Sequence, residues 1–154
     1  MYFSRLSLTQ FRNYDTLEAQ FSPDINVITG DNGAGKTNVL EAVHYLAMTR
    51  GWARRSEGYA LKENTAYFSV DGLLHTPEDP LRIQCNYMPP KGKKILINRQ
   101  ALRKMSDHIG TIPIVAILPN DTQLIYGPPA TRRRFMDGLI SQNDRKYLEQ
   151  LIRY

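Results

Sequence analysis

Residues 30–37 read GDNGAGKT, and this stretch decides which fold the sequence encodes. It fits the pattern G-x-x-x-x-G-K-[ST] of a phosphate-binding loop, in which backbone N–H groups surround phosphate oxygens. Three glycines allow backbone conformations that are closed to residues with a Cβ. The lysine can reach the β- and γ-phosphates, and the threonine hydroxyl can bind Mg²⁺. The expected nucleotide contacts are Gly30, Asp31, Asn32, Gly33, Ala34, Gly35, Lys36 and Thr37, with Thr37 also the metal ligand. The simpler alternative is a glycine-rich turn.

The residues on either side of the loop favour the nucleotide interpretation. Before it, INVIT (25–29) is a short β-branched run typical of a buried strand. After it, apolar residues recur at helical spacing, which predicts a helix from Lys36 to about Thr49 that is closed by Gly51. A phosphate loop between a buried strand and a helix is the context that separates a real nucleotide site from a chance match.

The rest of the chain predicts an α/β domain. The alternating runs at 5–9 and 16–21 indicate two antiparallel strands joined by a turn at 13–15. Further strands are expected near 67–75, 81–87 and in KILIN (94–98), and IVAIL (114–118) has the composition of a central buried strand. Helices should begin at the proline pair 128–129 and near Asp144.

Cysteine content and the N-terminus restrict the class of protein. The single cysteine, Cys85, excludes a disulfide within the chain and a Cys/His metal cluster. It shares the phase of Leu81, Ile83 and Tyr87, so we expect a small core residue and not a nucleophile. The N-terminus alternates polar and apolar residues and lacks the apolar segment of a signal peptide or membrane span. We therefore expect a cytoplasmic protein with no membrane partner.

The net charge of +5 comes from one segment. Between Pro80 and Ser106 there are seven basic residues and no acidic one, which suggests a polyanion such as DNA as partner. The densest group is Lys91, Lys93, Lys94 and Arg99, on a probable hairpin. The alternative is a solvated hairpin. No aromatic residue interleaves with this group, so contacts to the DNA backbone are expected and base recognition is not.

Hydrolysis needs a carboxylate near the metal as well as a phosphate loop. A Walker-B element would be an apolar run that ends directly in Asp or Glu. The candidate is Asp121 in IPIVAILPND, although Pro119 and Asn120 interrupt the run. We therefore name Lys36 and Asp121 as the candidate catalytic residues.

Three longer stretches resemble the RecF family of recombination-repair ATPases, which is related to SMC proteins and ABC-type heads. They are LSLTQFRNYDTLEAQFSPDINVITGDNGAGKTNVLEAVHYLAMTRG, LINRQALRKMSDHIG and ILPNDTQLIYGPPATRRRFMDGLISQ. The similarity extends over essentially all 154 residues. The segment FRNY about twenty residues before GDNGAGKT is more specific than the loop alone.

The resemblance implies an ABC-type P-loop ATPase head: a mixed sheet with an antiparallel β layer and helices around it. Residues 1–127 would form the N-terminal part of the ATPase lobe, and residues 128–154 the start of a helical lobe. The resemblance also implies ATP with Mg²⁺, DNA, an ATP-dependent homodimer and mediator proteins such as RecR. The family's Walker-B and signature motifs are absent. We therefore expect an N-terminal fragment that is truncated before the C-terminal half of the protein. The fragment should be inactive alone, and the full-length protein should be a weak DNA-dependent ATPase.

Several individual roles follow from the resemblance only. Residues matching Arg12 and Asn13 lie beside the nucleotide in related heads, although Arg12 could simply cap a strand end. Asn120 or Asp121 matches the Q-loop position that contacts metal and water. Arg54 and Arg55 match a position that couples DNA to the active site. Two rival classes remain, a different P-loop enzyme such as a small-molecule kinase or transport ATPase, and a nucleotide-binding domain without turnover.

Overall fold

The computed structural model describes residues 1–52 and 56–154. The strands are β1 (Tyr2–Phe11), β2 (Tyr14–Gln20), β3 (Phe68–His75), β4 (Leu81–Met88), β5 (Gly92–Ile97) and β6 (Gln100–Ala101). The helices are α1 (Lys36–Met48), α2 (Gln123–Tyr126), α3 (Pro129–Asn143) and α4 (Arg145–Arg153). All six strands form one antiparallel sheet in the order β2-β1-β3-β4-β5-β6. Helix α1 packs against β3 and β4.

The core lies between α1 and one face of the sheet, here called the inner face. Alternate residues of the strands point to this face because side chains alternate along a strand, and they are fully buried: Leu6, Leu8, Phe68, Val70, Ile83 and Ile95. Leu46 of α1 packs over Gly72, where a Cβ would lie only 2.4 Å from the Leu46 Cδ1 atom. The absence of a side chain at Gly72 is therefore what lets the helix approach the sheet.

The sheet confirms most of the strands that the sequence predicts. KILIN lies largely in β5, and the predicted runs at 67–75 and 81–87 correspond to β3 and β4. Cys85 lies inside β4, fully buried, and burial raises the pKa of its thiol to about 12. The thiolate is the reactive form of cysteine, so a thiol with this pKa is inert at neutral pH.

The prediction that INVIT (25–29) forms a buried strand is wrong. Residues 21–35 contain no strand, and Ile25 and Val27 are 85% and 78% exposed. Ile28 still packs against the core. A strand needs a neighbour for its N–H and C=O groups, and no described segment pairs with this run.

The prediction that IVAIL (114–118) forms a central strand is also wrong, because no described strand pairs with it. Residues 113–118 are not paired, but their burial alternates with the period of a strand. Ile112 and Ile114 pack against the core, whereas Val115 and Ile117 are 64% and 87% exposed. The segment therefore has one covered and one uncovered apolar face.

Helix α1 ends at Met48, within one residue of the predicted end, but its C-cap is Thr49 and not Gly51 as predicted. Thr49 takes the left-handed conformation (φ 59°) that usually ends a helix at glycine. Two side chains bind carbonyls at this end: His108 Nε2 donates to the Leu46 oxygen at 2.5 Å, and Lys93 Nζ donates to the Thr49 oxygen at 2.5 Å. These bonds satisfy acceptors that every helix C-terminus leaves open.

None of the helices in the described part of the chain has the length and apolar character needed to cross a bilayer.

His108 should make stability depend on pH. The imidazole is fully buried, burial lowers its pKa below the ordinary 6.5, and its Nδ1 atom has no hydrogen-bond partner. The unfolded chain therefore binds the proton that the folded chain excludes, so stability is complete above about pH 6.5 and is lost as the pH falls below it. One such group contributes a slope of up to about 1.4 kcal/mol per pH unit.

Denaturant unfolding of His108→Gln and wild type between pH 5 and pH 8 would measure this slope, because glutamine keeps an N–H donor but does not titrate. We expect the wild type to lose stability relative to His108→Gln on acidification. The control is His75→Gln, which replaces an exposed histidine of β3 and should keep the wild-type slope. Parallel pH profiles of wild type and His108→Gln would contradict the assignment.

Candidate nucleotide-binding site

The phosphate loop has the backbone geometry that its sequence predicts. Gly30, Gly33 and Gly35 all have positive φ, at 143°, 86° and 101°. This region is strained for residues with a Cβ. Gly35 is also the N-cap of α1, so the loop runs directly into the positive end of the helix dipole. Loop and helix together have the form of an anion-binding site.

Lys36 is bound by the loop that contains it. It is half-buried, and its Nζ atom donates to the carbonyl oxygens of Gly30 and Asp31 at 2.6 and 2.7 Å. The loop therefore wraps around its own lysine. The ammonium group is held at the centre of the loop, where it can meet a phosphate without a large movement.

The first turn of α1 supplies further polar groups. The N–H groups at the start of a helix have no acceptor within it. Gly35 caps the helix without a side-chain hydrogen bond, so no side chain competes for these donors. Thr37 is exposed, and a hydroxyl oxygen is a ligand type that Mg²⁺ accepts beside phosphate oxygens and water. The residues present thus fit a nucleotide with its metal.

The β1–β2 turn supports the loop from outside. Asn13 Nδ2 and the Tyr14 hydroxyl each donate to the Ala34 carbonyl at 3.3 Å. Asn13 also accepts from Asn38 Nδ2 at 2.8 Å, which joins the turn to α1. The sequence did not identify Tyr14 and Asn38, since nothing in the pattern shows that the turn and the loop meet.

Arg12 lies beside this turn but is directed away from the loop. Its guanidinium donates to both carboxylate oxygens of Glu41 at 2.6–2.9 Å and lies over the Tyr59 ring at 4.6 Å. Its backbone N–H also donates to Ala60. Glu41 is only 2% exposed, so the pair is a buried bidentate ion pair. In this conformation Arg12 anchors the turn to α1, and its contact with a nucleotide stays a prediction.

Asp121 has a structural contact of its own. Its Oδ2 atom accepts from the Leu118 backbone N–H at 2.7 Å and stabilises the 3₁₀ turn Pro119–Thr122. It lines a cavity of about 270 Å³ with His44, Trp52 and Arg134. Among the described residues that line this cavity, none belongs to 30–37. A role of Asp121 in catalysis stays a prediction.

The basic group expected to contact DNA is divided by the sheet. Lys93 points to the inner face, where it forms an ion pair with Glu57 and donates to Thr49. We therefore withdraw it from the DNA-contacting group. Lys91, Lys94 and Arg99 are exposed, with Arg99 at the opposite end of β5 from Lys91. Arg54 and Arg55 lie outside the described residues.

These observations define the class of protein: a P-loop domain in which an antiparallel sheet and a helix position a phosphate-binding loop. The sequence matches the family of RecF/RecN/SMC N-terminal domains over residues 2–107, so the chain belongs to this family. The resemblance seen in the sequence is confirmed.

Curated relatives align over nearly the whole chain. The DNA replication and repair protein RecF of Salinibacter ruber is 39% identical over 150 residues, which is 97% of this chain and 36% of that protein. RecF of Chlorobaculum tepidum is 41% identical over 97% of this chain and 41% of its own length. The chain thus spans about two fifths of the length of these relatives.

Solved structures confirm the fold as that of an ABC-type head. A structure described as the recombination mediator protein RecF with ATP in the RecFOR pathway superposes with a TM-score of 0.92 at 29% identity. It covers 99% of this chain and 42% of that one. A structure from work on ATP-driven dimerization and DNA-stimulated activation of SMC ATPases superposes with a TM-score of 0.70 at 20% identity. The superposition covers 90% of this chain and 99% of that one, and at this identity it shows the fold alone.

Two glycines of the loop allow a matched test of the support from the β1–β2 turn. At Gly35 an added Cβ would lie 2.7 Å from both Asn13 Oδ1 and the Tyr14 hydroxyl, whereas at Gly33 it would meet no atom within 4 Å. An alanine at either position must adopt a positive φ, which lowers the stability of the fold by about 1–2 kcal/mol. Gly35→Ala must in addition displace the Asn13 and Tyr14 side chains and lose their hydrogen bonds to Ala34, each about 0.5–1.5 kcal/mol.

Thermal unfolding should therefore show Gly35→Ala to be less stable than Gly33→Ala. Adding Asn13→Ala to Gly35→Ala removes part of the clash, so the double variant should be less destabilised than the sum of the single changes. Equal effects of the two glycine substitutions would mean that the turn does not support the loop.

Proposed function

We propose that the chain is the ATP-binding part of a RecF-type DNA replication and repair protein, in which ATP controls binding to DNA. The observation that carries this proposal is the phosphate loop, with its three positive-φ glycines and Lys36 at its centre, at the start of α1. Family membership and relatives that are RecF proteins support the choice of ATP and DNA over the substrates of other P-loop enzymes.

The loop residues are proposed to hold the triphosphate. Backbone N–H groups of 33–37 and the Lys36 ammonium would bind phosphate oxygens, and the Thr37 hydroxyl would bind Mg²⁺. The metal supplies charge that stabilises the transferring phosphoryl group when it is bound. Asn13 would hold the loop in shape through Ala34 and Asn38. Its position beside the loop is compatible with a direct contact to the nucleotide.

Turnover is proposed to require more than the described residues. The Asp121 carboxylate is engaged by the Leu118 N–H. We propose that the full-length protein is a weak DNA-dependent ATPase and forms an ATP-dependent homodimer. The ATP-driven dimerization of SMC ATPases, which share this fold, supports the homodimer by analogy. A mediator protein such as RecR and a cytoplasmic location are part of the same proposal.

The DNA-contacting surface is proposed to include Lys91, Lys94 and Arg99. All three are exposed, and none forms an ion pair with a described carboxylate. Arg82 on the same face is different, because Asp71 binds its guanidinium at 2.6 Å. Unpaired cations can neutralise phosphates and release counterions, which supports contacts to the DNA backbone. Arg54 and Arg55 remain candidates from the sequence.

Lys36→Ala should strongly weaken ATP binding and leave the fold intact. The change removes a cation from the loop, and a hydrogen bond to a charged group contributes about 1.5–3 kcal/mol, so affinity should fall by about tenfold or more. Isothermal titration with ATP and Mg²⁺ measures binding, and circular dichroism checks the fold. Lys146→Ala, which removes an exposed lysine of α4, is the matched control. A collapsed spectrum for Lys36→Ala would assign the lysine a structural role.

The 154 residues alone should hydrolyse ATP no faster than their Lys36→Ala variant. Phosphate release by both chains and by the full-length protein, with and without DNA, tests this. DNA-stimulated release by the full-length protein is expected. Rapid release by the 154 residues would show that Asp121 or another described carboxylate completes the site. ATP binding without release in the full-length protein would favour a nucleotide-binding domain without turnover.

A further inference from the structure

The outer face of the sheet contains a cavity of about 340 Å³ at the end where β4 turns into β5. We call it the hairpin pocket. The rings of Phe68 and Tyr87 form its floor, and its other lining residues are Tyr67, Asn86, Met88, Lys91, Gly92 and Lys94. It lies on the side of the sheet opposite to α1 and shares no residue with the phosphate loop.

Strand register explains why a cavity forms here. Phe68 pairs with Tyr87 and points into the core. Tyr67 directly precedes Phe68 and Met88 directly follows Tyr87, so both face outward. Met88 pairs with Gly92, which has no side chain, and a Cβ at Gly92 would meet no atom within 4 Å. The missing side chain leaves an open space beside an aromatic ring and a thioether.

The floor of the pocket is rigid and its walls are apolar. The Phe68 ring, fully buried, packs against those of Tyr87, Phe11 and Tyr45 at 5.4–5.8 Å. Tyr67 and Met88 are nevertheless 43% and 40% exposed. Exposed aromatic and thioether groups beside a preformed cavity are typical of a binding site.

The rim of the pocket is basic. Lys91 and Lys94 are both exposed, and neither has an acidic partner among residues 1–52 and 56–154. Asn86 is fixed by the Ser69 hydroxyl, which donates to its Oδ1 atom at 2.6 Å. The pocket therefore combines a flat aromatic surface, an amide and two cations. These are the groups that stack on a base, hydrogen-bond its edge and neutralise its phosphates.

We propose that the hairpin pocket binds an unpaired base of single-stranded DNA, with Tyr67 stacked on the base and Lys91 and Lys94 on the flanking phosphates. This inference rests on the proposed DNA-binding function and adds which form of DNA the surface takes. It replaces the expectation from the sequence that only the DNA backbone is contacted, because the fold brings Tyr67 beside Lys91 and Lys94. A duplex keeps its bases inside the stack, so it can offer this pocket only phosphates. The cavity lies at the small end of the range of about 300–1,000 Å³ for ligand sites, which suits one nucleotide.

The test uses the full-length protein with ATP and Mg²⁺ and three fluorescent probes of equal length: oligo(dT), the same strand with abasic sites, and a duplex. Tyr67→Ala should weaken binding to oligo(dT) about 5- to 150-fold, as expected for loss of one stacked base. It should leave binding to the abasic strand and the duplex unchanged. Tyr67→Phe keeps the ring and should restore binding to oligo(dT). Tyr126→Ala, which removes an 87% exposed tyrosine of α2, is the control.

The lysines give a separate measurement. Lys91→Ala with Lys94→Ala should weaken binding to oligo(dT) and to the abasic strand alike, because phosphates are common to both. The salt dependence on single strands should flatten by about 0.7 in slope for each lost contact. A strand containing 2-aminopurine should show fluorescence quenching with wild type and with Tyr67→Phe, and none with Tyr67→Ala.

Three results would overturn the proposal for the hairpin pocket, and only the third would also overturn the proposed DNA-binding function. If Tyr67→Ala weakened binding to all three probes equally, the tyrosine would support the fold and would not stack on a base. No loss on oligo(dT) would mean that the base lies elsewhere, while DNA binding itself would stand. If wild type bound ATP but none of the probes, the proposed DNA-binding function would fail together with the pocket.

Discussion

The packing of helix α1 on the inner face of the antiparallel sheet is the interaction on which the other features depend. Leu46 can reach the sheet because Gly72 has no side chain, and Ala42 and Ala47 are fully buried. The N-terminus of the helix places the phosphate loop. Its C-terminus receives hydrogen bonds from His108 and Lys93, which belong to segments far along the chain. A shift of α1 would therefore move the loop and break both bonds at once.

The β1–β2 turn gives the helix a second attachment, close to the loop. Arg12 and Glu41 form a buried bidentate pair, and removing one member of such a pair typically costs about 3–5 kcal/mol because the other is left buried and uncompensated. Next to it, Asn13 connects Ala34 to Asn38. One short turn thus holds both the loop and the helix that follows it. This arrangement gives the FRNY segment a structural reason that does not depend on a contact with the nucleotide.

The sequence predicted local features well and features that need distant partners poorly. Period-two runs predicted β1, β2 and β4, and the glycine spacing predicted the loop, because these features depend on residues close in the chain. INVIT and IVAIL have the composition of buried strands, yet Val27 and Ile117 are exposed. Composition shows that a strand would be favourable but not whether a neighbour is present to bond with it. Glu41 was missed for a related reason, since a glutamate within a helix gives no sign that Arg12 will meet it.

The adjacent lysines 93 and 94 show why a charge run on a strand cannot be treated as one patch. Side chains alternate across a sheet, so two neighbours must point to opposite faces. Lys93 lies on the inner face with Glu57 and the C-terminus of α1, whereas Lys94 pairs in register with Asn86 on the outer face. The two faces meet different chemistry, a helix terminus on one and solvent beside the hairpin pocket on the other. From the sequence, both lysines count as positive charge available to a polyanion. Only Lys94 is available, because the alternation of side chains along β5 directs Lys93 to Glu57 and the C-terminus of α1.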